Sequence, residues 1–338
     1  MKTYTLNDAP LRLYGVPFYE KTGRLIRFPD ELIAQMDAAQ SMAFLGKRTP
    51  GARVRFRTDA KAVTVNLTFA TMSVDRGMSI YACQSAAVYE GTEPGAKFRG
   101  LVPAPNYETK SFSGKVVLSG TMNDVTIYLP RNERIESVSV TVEDDAAVLP
   151  PTPYTYEKPV VFYGSSITEG GCCENVANAY VTLVSRRLNT DFLNLGFSGS
   201  ARGELAVADF INTLDMSVLV YDYDHNAPTA AHLQKTHRPF FERIREKHPT
   251  LPVIMMTRPA GAFYLENPDT AARRAIIKAT FDAAKAQGDE NVYFLDGGEF
   301  FPIEERENCL VDGTHPNDLG FKYMADALTP VLKKVLEK

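Results

Sequence analysis

The chain has 338 residues, of which 44% are apolar and 23% are charged. These values are typical of globular proteins and exclude a disordered chain, a coiled coil or a collagen-like repeat. A net charge of −4 gives no electrostatic support for nucleic-acid binding. No apolar run approaches the roughly 18 residues of a membrane-spanning helix, and the length predicts about two domains.

The first half of the sequence has the period of β-strands. Residues 1–150 carry short runs in which apolar and polar side chains alternate, and turn-forming segments such as EGTEPG separate the runs. Many short strands at this spacing predict an all-β sandwich, similar to a jelly roll. A short helical pattern interrupts them at residues 30–37. The predicted strands lie on both sides of a Thr-Asp turn within residues 53–67, and at 79–83, 87–89, 115–118, 125–129 and 137–142.

A proline-rich segment separates this half from the next. Residues 147–159, AVLPPTPYTYEKP, contain four prolines and predict a stiff, extended linker. We therefore expect an N-terminal β-sandwich domain at residues 1–150 and a second domain at residues 151–338.

After the linker, short apolar strands alternate with helical patterns. This alternation predicts a parallel sheet with helices on both faces. In such sheets, ligands bind beyond the carboxyl ends of the strands, so the loops after the strands are the informative ones. The predicted strands are 160–163, 192–195, 218–221, 253–256 and 292–295, and the predicted helices are 177–188, 230–247, 270–286 and 316–336.

Four polar segments are predicted to meet at this edge of the sheet. Ser166 lies in a Gly-Ser-Ser-Ile-Thr turn after the first strand, and Gly199 lies in a Gly/Ser loop after the second. Asn226 follows the third strand. Asp312 precedes His315 by three residues, a spacing that lets a carboxylate orient an imidazole. Taken singly, each segment is better explained as a helix cap, a loop or a turn; together they predict one site.

In this order, the four segments resemble the sequence blocks of the SGNH (GDSL-like) hydrolase superfamily, over residues 160–338. The resemblance implies a flavodoxin-like, three-layer α/β/α domain with a central parallel sheet, and it implies that Ser166 is the nucleophile. There is one departure from the family pattern. Ser165 stands where the family has an aspartate, so any structural role of that carboxylate is lost.

The resemblance also implies a mechanism. Serine is a poor nucleophile at neutral pH and needs an adjacent base, so His315 would take the proton of Ser166 and Asp312 would orient His315. The N–H groups of Ser166 and Gly199 and the side-chain amide of Asn226 would form an oxyanion hole. Water would then hydrolyse the acyl-enzyme, and no metal or organic cofactor is expected.

Further polar residues follow the predicted strands. His225, Arg202 and Arg258 are candidate substrate-binding residues, and the two arginines would suit an acidic substrate. Asp222 and Asp224 form a D-x-D pair, which either binds a divalent metal or caps the strand end. The four cysteines lack the C-x-x-C spacing of a zinc or redox site, and we expect reduced thiols.

The favoured function is hydrolysis of a small acyl ester, most simply acetyl, on a carbohydrate. The carbohydrate part rests on the β-sandwich before an SGNH-like domain, an arrangement similar to that of bacterial glycan acetylesterases. The absence of Trp counts against a sugar-binding platform. The alternatives are lipid or thioester hydrolysis on the same triad, a non-catalytic glycan-binding protein, and a metal-dependent phosphoesterase built on the D-x-D pair.

The expected partner is a small-molecule or saccharide ester, with neither nucleic acid nor membrane. Residues 1–15 contain no apolar signal-peptide core, so we expect a cytoplasmic protein. The sequence leaves the oligomeric state open.

Overall fold

The computed structural model describes residues 1–36, 41–75 and 78–338. In the first half the strands are β1 (Lys2–Thr5), β2 (Arg12–Tyr14), β3 (Arg53–Thr58), β4 (Ala62–Phe69), β5 (Ser85–Glu90), β6 (Lys97–Pro103), β7 (Ser111–Val117), β8 (Asn123–Tyr128), β9 (Ile135–Val142) and β10 (Val148–Leu149). Short helices lie between them, namely α1 (Tyr19–Thr22), α2 (Asp30–Ile33), α3 (Met42–Leu45) and α4 (Ile80–Cys83).

In the second half, strands and helices alternate. The strands are β11 (Tyr156–Gly164), β12 (Thr190–Gly196), β13 (Val218–Asp222), β14 (Val253–Met256) and β15 (Val292–Leu295). The helices are α5 (Ser166–Glu169), α6 (Tyr180–Leu188), α7 (Leu205–Ile211), α8 (Ala230–Lys247), α9 (Ala262–Leu265), α10 (Pro268–Ala286) and α11 (Asp318–Leu336), with 3-10 turns at Val176–Asn178, Gly297–Glu299 and Arg306–Cys309.

The first half is a β-sandwich, as predicted. Its antiparallel strands form two sheets, ordered β1-β9-β4-β7 and β10-β3-β8-β5-β6, with β2 also paired to β3. The alternation of β4 explains the packing, because Val63, Val65 and Leu67 are buried while Thr64 and Asn66 between them are half-buried. Buried residues of both sheets form one apolar core.

The observed structure differs from the predicted strands in two places. The two strands beside the Thr-Asp turn do not pair with each other, because β3 pairs with β8 while β4 pairs with β7 and β9. The chain therefore passes from one sheet to the other at this turn. The predicted strand at 79–83 is wrong: the Ser79 hydroxyl accepts a hydrogen bond from the Ala82 amide at 3.2 Å and caps α4.

The helical pattern at 30–37 appears as the single turn α2, and residue 37 lies outside the described residues. The proline-rich segment 147–159 holds β10, which pairs with β3, and the first residues of β11. Within this segment the Tyr154 hydroxyl accepts a hydrogen bond from Arg53 Nε at 2.7 Å.

The second half has the predicted parallel sheet, in the order β12-β11-β13-β14-β15. This is the flavodoxin-like strand order. The second strand of the sheet, β12, lies on one side of β11, and the later strands lie on the other side. Side chains of β11 alternate between two cores. Val161 and Tyr163 pack with α7, α8 and α10 on one face, while Val160 and Phe162 pack with α6 and α11 on the other. The three-layer α/β/α prediction is therefore confirmed.

Some helix boundaries differ from the predicted ones. The pattern at 177–188 divides into a 3-10 turn and α6. The last helix starts at Asp318 rather than Pro316, because the Asn317 side chain accepts a hydrogen bond from the Gly320 amide at 3.0 Å and fixes the start. The short helix α7 was not predicted. Within the described residues, no helix is both long and apolar enough to span a membrane.

A buried arginine joins the two halves. Arg27 is 0% exposed, and its guanidinium donates to the carbonyl oxygens of Leu45, Arg48, Asn194 and Gly196 at 2.7–3.0 Å. Two of these carbonyls belong to the end of β12. Burial lowers the pKa of Arg27 to about 10, so the side chain is still a cation at neutral pH.

Replacement of this arginine should destabilise the fold. In Arg27→Met, four buried carbonyl groups lose a charged donor, and we expect a loss of about 2–4 kcal/mol in the free energy of unfolding. Urea denaturation followed by circular dichroism measures it. The control is Arg12→Met, at an exposed position of β2, for which a change within about 0.5 kcal/mol is expected. Equal effects of the two substitutions would contradict this account.

Candidate active site

The site is built on the carboxyl end of β11, where the strand runs directly into α5. A Cβ at Gly164 would overlap the side chains of Asp222 and Thr168, so only glycine fits there. The Ser165 hydroxyl accepts a hydrogen bond from the Ile167 amide at 3.1 Å and caps α5. Ser165, the residue that departs from the family pattern, is therefore a buried helix cap, and Ser166 is the first residue of the helix.

Three of the predicted residues form a continuous hydrogen-bonded chain. Ser166 Oγ lies 2.8 Å from His315 Nε2, and His315 Nδ1 lies 2.8 Å from Asp312 Oδ2. The other carboxylate oxygen of Asp312 accepts from the amides of His315 and Thr314 at 2.8 and 3.0 Å. Burial acts to raise the pKa of Asp312, but the hydrogen bonds from His315 and Thr314 outweigh it and lower that pKa. The carboxylate therefore stays an acceptor.

The candidate oxyanion donors lie at the same edge. Gly199 has a φ of +66° and is exposed in the loop after β12. Asn226 Nδ2 donates to the carbonyl of Phe197 at 2.9 Å, so it is tied to the loop that carries Gly199. An amide nitrogen has two N–H groups, so one remains for a ligand. The backbone amides of Ser166 and Gly199 have no acceptor within residues 1–36, 41–75 and 78–338.

A buried carboxylate that the sequence analysis missed connects the helix of Ser166 to this loop. Glu169 is 3% exposed, and its Oε2 accepts from the Ser198 amide at 2.9 Å and from the Ser198 hydroxyl at 2.5 Å. Asn194 adds a second connection, because its Nδ2 donates to the Thr168 carbonyl at 2.8 Å. One feature of the sequence could have indicated this role: Glu169 is an acidic residue inside an otherwise uncharged segment, three residues after Ser166.

The β-sandwich half also contacts the segment after Ser166. Arg131 donates to the carbonyl of Gly170, and its other terminal nitrogen lies 2.7 Å from the sulfur of Met78. The same sulfur accepts from the Cys172 amide at 3.2 Å. Arg48 Nη1 lies 3.9 Å from Glu169 Oε1. The first half of the chain therefore packs directly against the turn that follows α5.

The candidate substrate-binding residues flank this centre. Arg202 Nη2 donates to the carbonyl of Gly199 at 3.3 Å. The Arg258 amide donates to Asp224 Oδ2 at 3.1 Å, and its guanidinium lies 4.8 Å from the ring centroid of Tyr264. Burial lowers the pKa of His225 far below its usual range, and the charges of Arg258 and His315 act in the same direction. His225 is thus a neutral imidazole near both.

The acidic pair after β13 is held by protein groups. Asp222 accepts from the hydroxyl of Thr168 and, at 2.8 Å, from that of Tyr180, whereas Asp224 accepts from the Arg258 amide. Burial raises the pKa of Asp222 to about 7, although both hydroxyl bonds act to lower it. Across the described ranges, no group of three His, Cys, Asp or Glu side chains is placed to hold a metal.

A Ser–His–Asp chain at the carboxyl edge of a flavodoxin-like sheet defines the SGNH class of ester hydrolases. Family models agree with this class. The GDSL-like lipase/acylhydrolase family matches residues 157–333, and the N-terminus of the SGNH-hydrolase-type esterases matches residues 1–148. The chain belongs to the GDSL-like lipase/acylhydrolase family, and it is an esterase. No curated protein sequence matches it.

Solved structures share the fold over most or all of the chain. A candidate GDSL-like lipase from Bacteroides ovatus superposes with a TM-score of 0.86, covers 99% of this chain and 98% of its own, and is 22% identical. The salicylyl-acyltransferase SsfX3 of a tetracycline biosynthetic pathway has a TM-score of 0.80, coverages of 99% and 97%, and 19% identity. A family two carbohydrate esterase from Clostridium thermocellum has a TM-score of 0.61, coverages of 85% and 93%, and 15% identity.

The raised pKa of Asp222 gives a pH-dependent stability. Between about pH 4 and pH 7 the folded carboxyl keeps a proton that the unfolded chain releases, so the free energy of unfolding falls as pH rises through this window. Asp222→Asn stays neutral throughout. From pH 5 to pH 7.5, wild type should lose about 2–3 kcal/mol more than this variant in urea denaturation. Parallel pH curves for the two proteins would contradict the assignment.

Proposed function

We propose that this esterase hydrolyses small acyl esters, most simply acetyl esters, of a carbohydrate, with Ser166, His315 and Asp312 as its catalytic triad. The observation that carries the proposal is the chain of two 2.8 Å contacts from Ser166 Oγ through the imidazole to Asp312. A serine becomes nucleophilic at neutral pH when a positioned base takes its proton. The second contact orients that base and stabilises its charged form.

The reaction proceeds in two halves. Ser166 Oγ attacks the ester carbonyl while His315 Nε2 takes the hydroxyl proton, and a tetrahedral intermediate forms. The intermediate collapses, the bond to the alcohol oxygen breaks, and His315 returns its proton to that oxygen. Water then attacks the acyl-serine with the same base, which releases the carboxylic acid and restores Ser166.

The developing oxyanion is stabilised by three donors, the amides of Ser166 and Gly199 and the side chain of Asn226. Two properties support these roles. The backbone amides have no acceptor among the described residues, and Asn226 is tied to the Gly199 loop through the Phe197 carbonyl. Donors that are fixed before the reaction stabilise the transition state without reorganising.

The nature of the substrate is inferred from proteins of similar fold. The family two carbohydrate esterase from C. thermocellum, which was crystallised with cellohexaose, has a similar fold, as does an acetyl xylan esterase from Butyrivibrio proteoclasticus. The first likeness supports a saccharide ester, and the second supports an acetyl group on it. A second candidate is acyl transfer to an alcohol instead of water, which the likeness to a salicylyl-acyltransferase favours. Addition of glycerol to the assay separates the two, because transfer yields a glyceryl ester and hydrolysis yields the free acid.

The nucleophile is tested with 4-nitrophenyl acetate. Ser166→Ala should lower kcat by at least about a thousandfold, because the acyl-enzyme cannot form, and EDTA should leave wild-type activity unchanged. The matched control is Ser113→Ala, at an exposed position of β7. Activity that survives in Ser166→Ala would refute this nucleophile, and loss of wild-type activity in EDTA would favour a metal-dependent reaction.

The oxyanion role of Asn226 predicts a different kinetic effect. Asn226→Ala removes one donor to the transition state, so kcat should fall by roughly 10²–10³-fold while KM changes little. Steady-state kinetics on the same ester measure both constants. A rise in KM with kcat unchanged would assign Asn226 to ground-state binding instead.

A further inference from the structure

We infer that the alcohol part of the substrate carries a carboxylate, and that the guanidinium of Arg258 binds it. This inference rests on the proposed esterase function and narrows its substrate to the ester of a hydroxy acid, such as an acylated sugar acid.

Arg258 lies beside the turn that carries the proposed base. Its guanidinium is 4.8 Å from the ring centroid of Tyr264, and Tyr264 in turn lies against Gly313, where a Cβ would meet the ring at 3.3 Å. Gly313 belongs to the turn between Asp312 and His315. Arg258 is therefore separated from this turn by one aromatic ring.

Arg258 lacks the acidic partner that comparable arginines have. No carboxylate oxygen lies within 4.0 Å of its guanidinium among the described residues, and its buried Nε has no hydrogen-bond acceptor there. The carboxylate of Asp224 is the strongest opposing charge on Arg258, but its hydrogen bond is to the backbone amide of Arg258. The arginines of α8 and α10 named next are paired directly, namely Arg245 with Asp289, Arg273 with Asp269 and Arg274 with Asp296.

The neighbour of Arg258 is suited to the same ligand. His225 Nε2 is also buried without a partner in the described part of the chain, and the side chain as a whole is partly exposed. As a neutral imidazole, His225 adds a hydrogen-bonding group without adding charge. A guanidinium presents parallel N–H groups that match the two oxygens of a carboxylate, so a carboxylate is the ligand that suits Arg258.

The reaction geometry decides which half of the substrate reaches this site. The base returns its proton to the leaving alcohol, so the alcohol half must face His315. Arg258 lies at the same end of the site as His315, because it packs on Tyr264, which contacts the turn before His315. Arg202, by contrast, lies at the Gly199 loop and is not assigned to the alcohol. The carboxylate is therefore placed on the alcohol and not on the acyl group.

The test compares two matched pairs of esters. The first pair, 4-acetoxybenzoate and its methyl ester, differs by a charge on the alcohol half. The second pair, phenyl hydrogen succinate and phenyl acetate, places the charge on the acyl half. The quantity measured is the ratio of kcat/KM for the charged and the neutral ester, for wild type, Arg258→Gln and Arg258→Lys. The control is Arg134→Gln, whose side chain is about half exposed and pairs with Glu136 on the sandwich.

Arg258→Gln should lower the ratio for the first pair by roughly ten- to hundredfold, mainly through KM, because one charged hydrogen-bonding contact is lost. Arg258→Lys should keep part of the preference, since it retains the charge but not the two parallel N–H groups. Arg134→Gln should keep the wild-type ratio. An unchanged ratio in Arg258→Gln, or a change confined to the succinate pair, would overturn the inference.

Direct binding separates this inference from the proposed catalytic role. Calorimetric titration of 4-hydroxybenzoate into Ser166→Ala and into the double variant with Arg258→Gln requires no turnover. We expect a dissociation constant at least about tenfold weaker in the double variant. Equal affinities, or no binding to either protein, would overturn the anionic subsite. Esterase activity that persists in Ser166→Ala would instead refute the proposed nucleophile.

Discussion

The site depends on how closely α5, the helix that carries Ser166, approaches the sheet. Gly164 and Gly196 are paired in register at the ends of β11 and β12, and neither position has space for a Cβ. At Gly164 the side chains of Thr168 and Asp222 occupy that space, and at Gly196 the backbone of Glu169 does. Because both strand ends are glycines without side chains, α5 packs directly against them. Ser166 therefore lies immediately above the edge where ligands bind in such sheets.

The two halves of the chain meet at this same point. Arg27 holds the carbonyls that end β12, and Arg131 holds the carbonyl of Gly170 just after α5. Both arginines come from the first half, and both are buried. The first half therefore supports the second half next to the helix of Ser166, where cationic donors satisfy backbone carbonyls that would otherwise be buried without a partner. These contacts oppose separation of the two halves.

Sequence reasoning succeeded where the determinants are local. The ranges of α8, β14 and β15 follow from periodicity alone, and the three-residue spacing of Asp312 and His315 was enough to expect their contact. It failed where distant partners decide. The capping serine Ser79 turned an apparent strand into a helix, and the exchange of sheets between β3 and β4 depends on β8 and β9, far along the chain. The buried position of Glu169 likewise depends on its hydrogen bonds with Ser198, and the local sequence pattern does not predict that contact.

The carboxylate of Glu169 has a mechanical consequence. It sits on the same four-residue helix as Ser166 and holds Ser198, the immediate neighbour of Gly199. A shift of the helix therefore carries the loop with it, and the spacing between the attacking oxygen and the proposed oxyanion donors is preserved. His315 arrives from a separate turn before α11 and does not share this linkage. The Ser166–His315 separation, along which the proposed proton transfer occurs, is therefore set independently of the separation between Ser166 and the Gly199 loop.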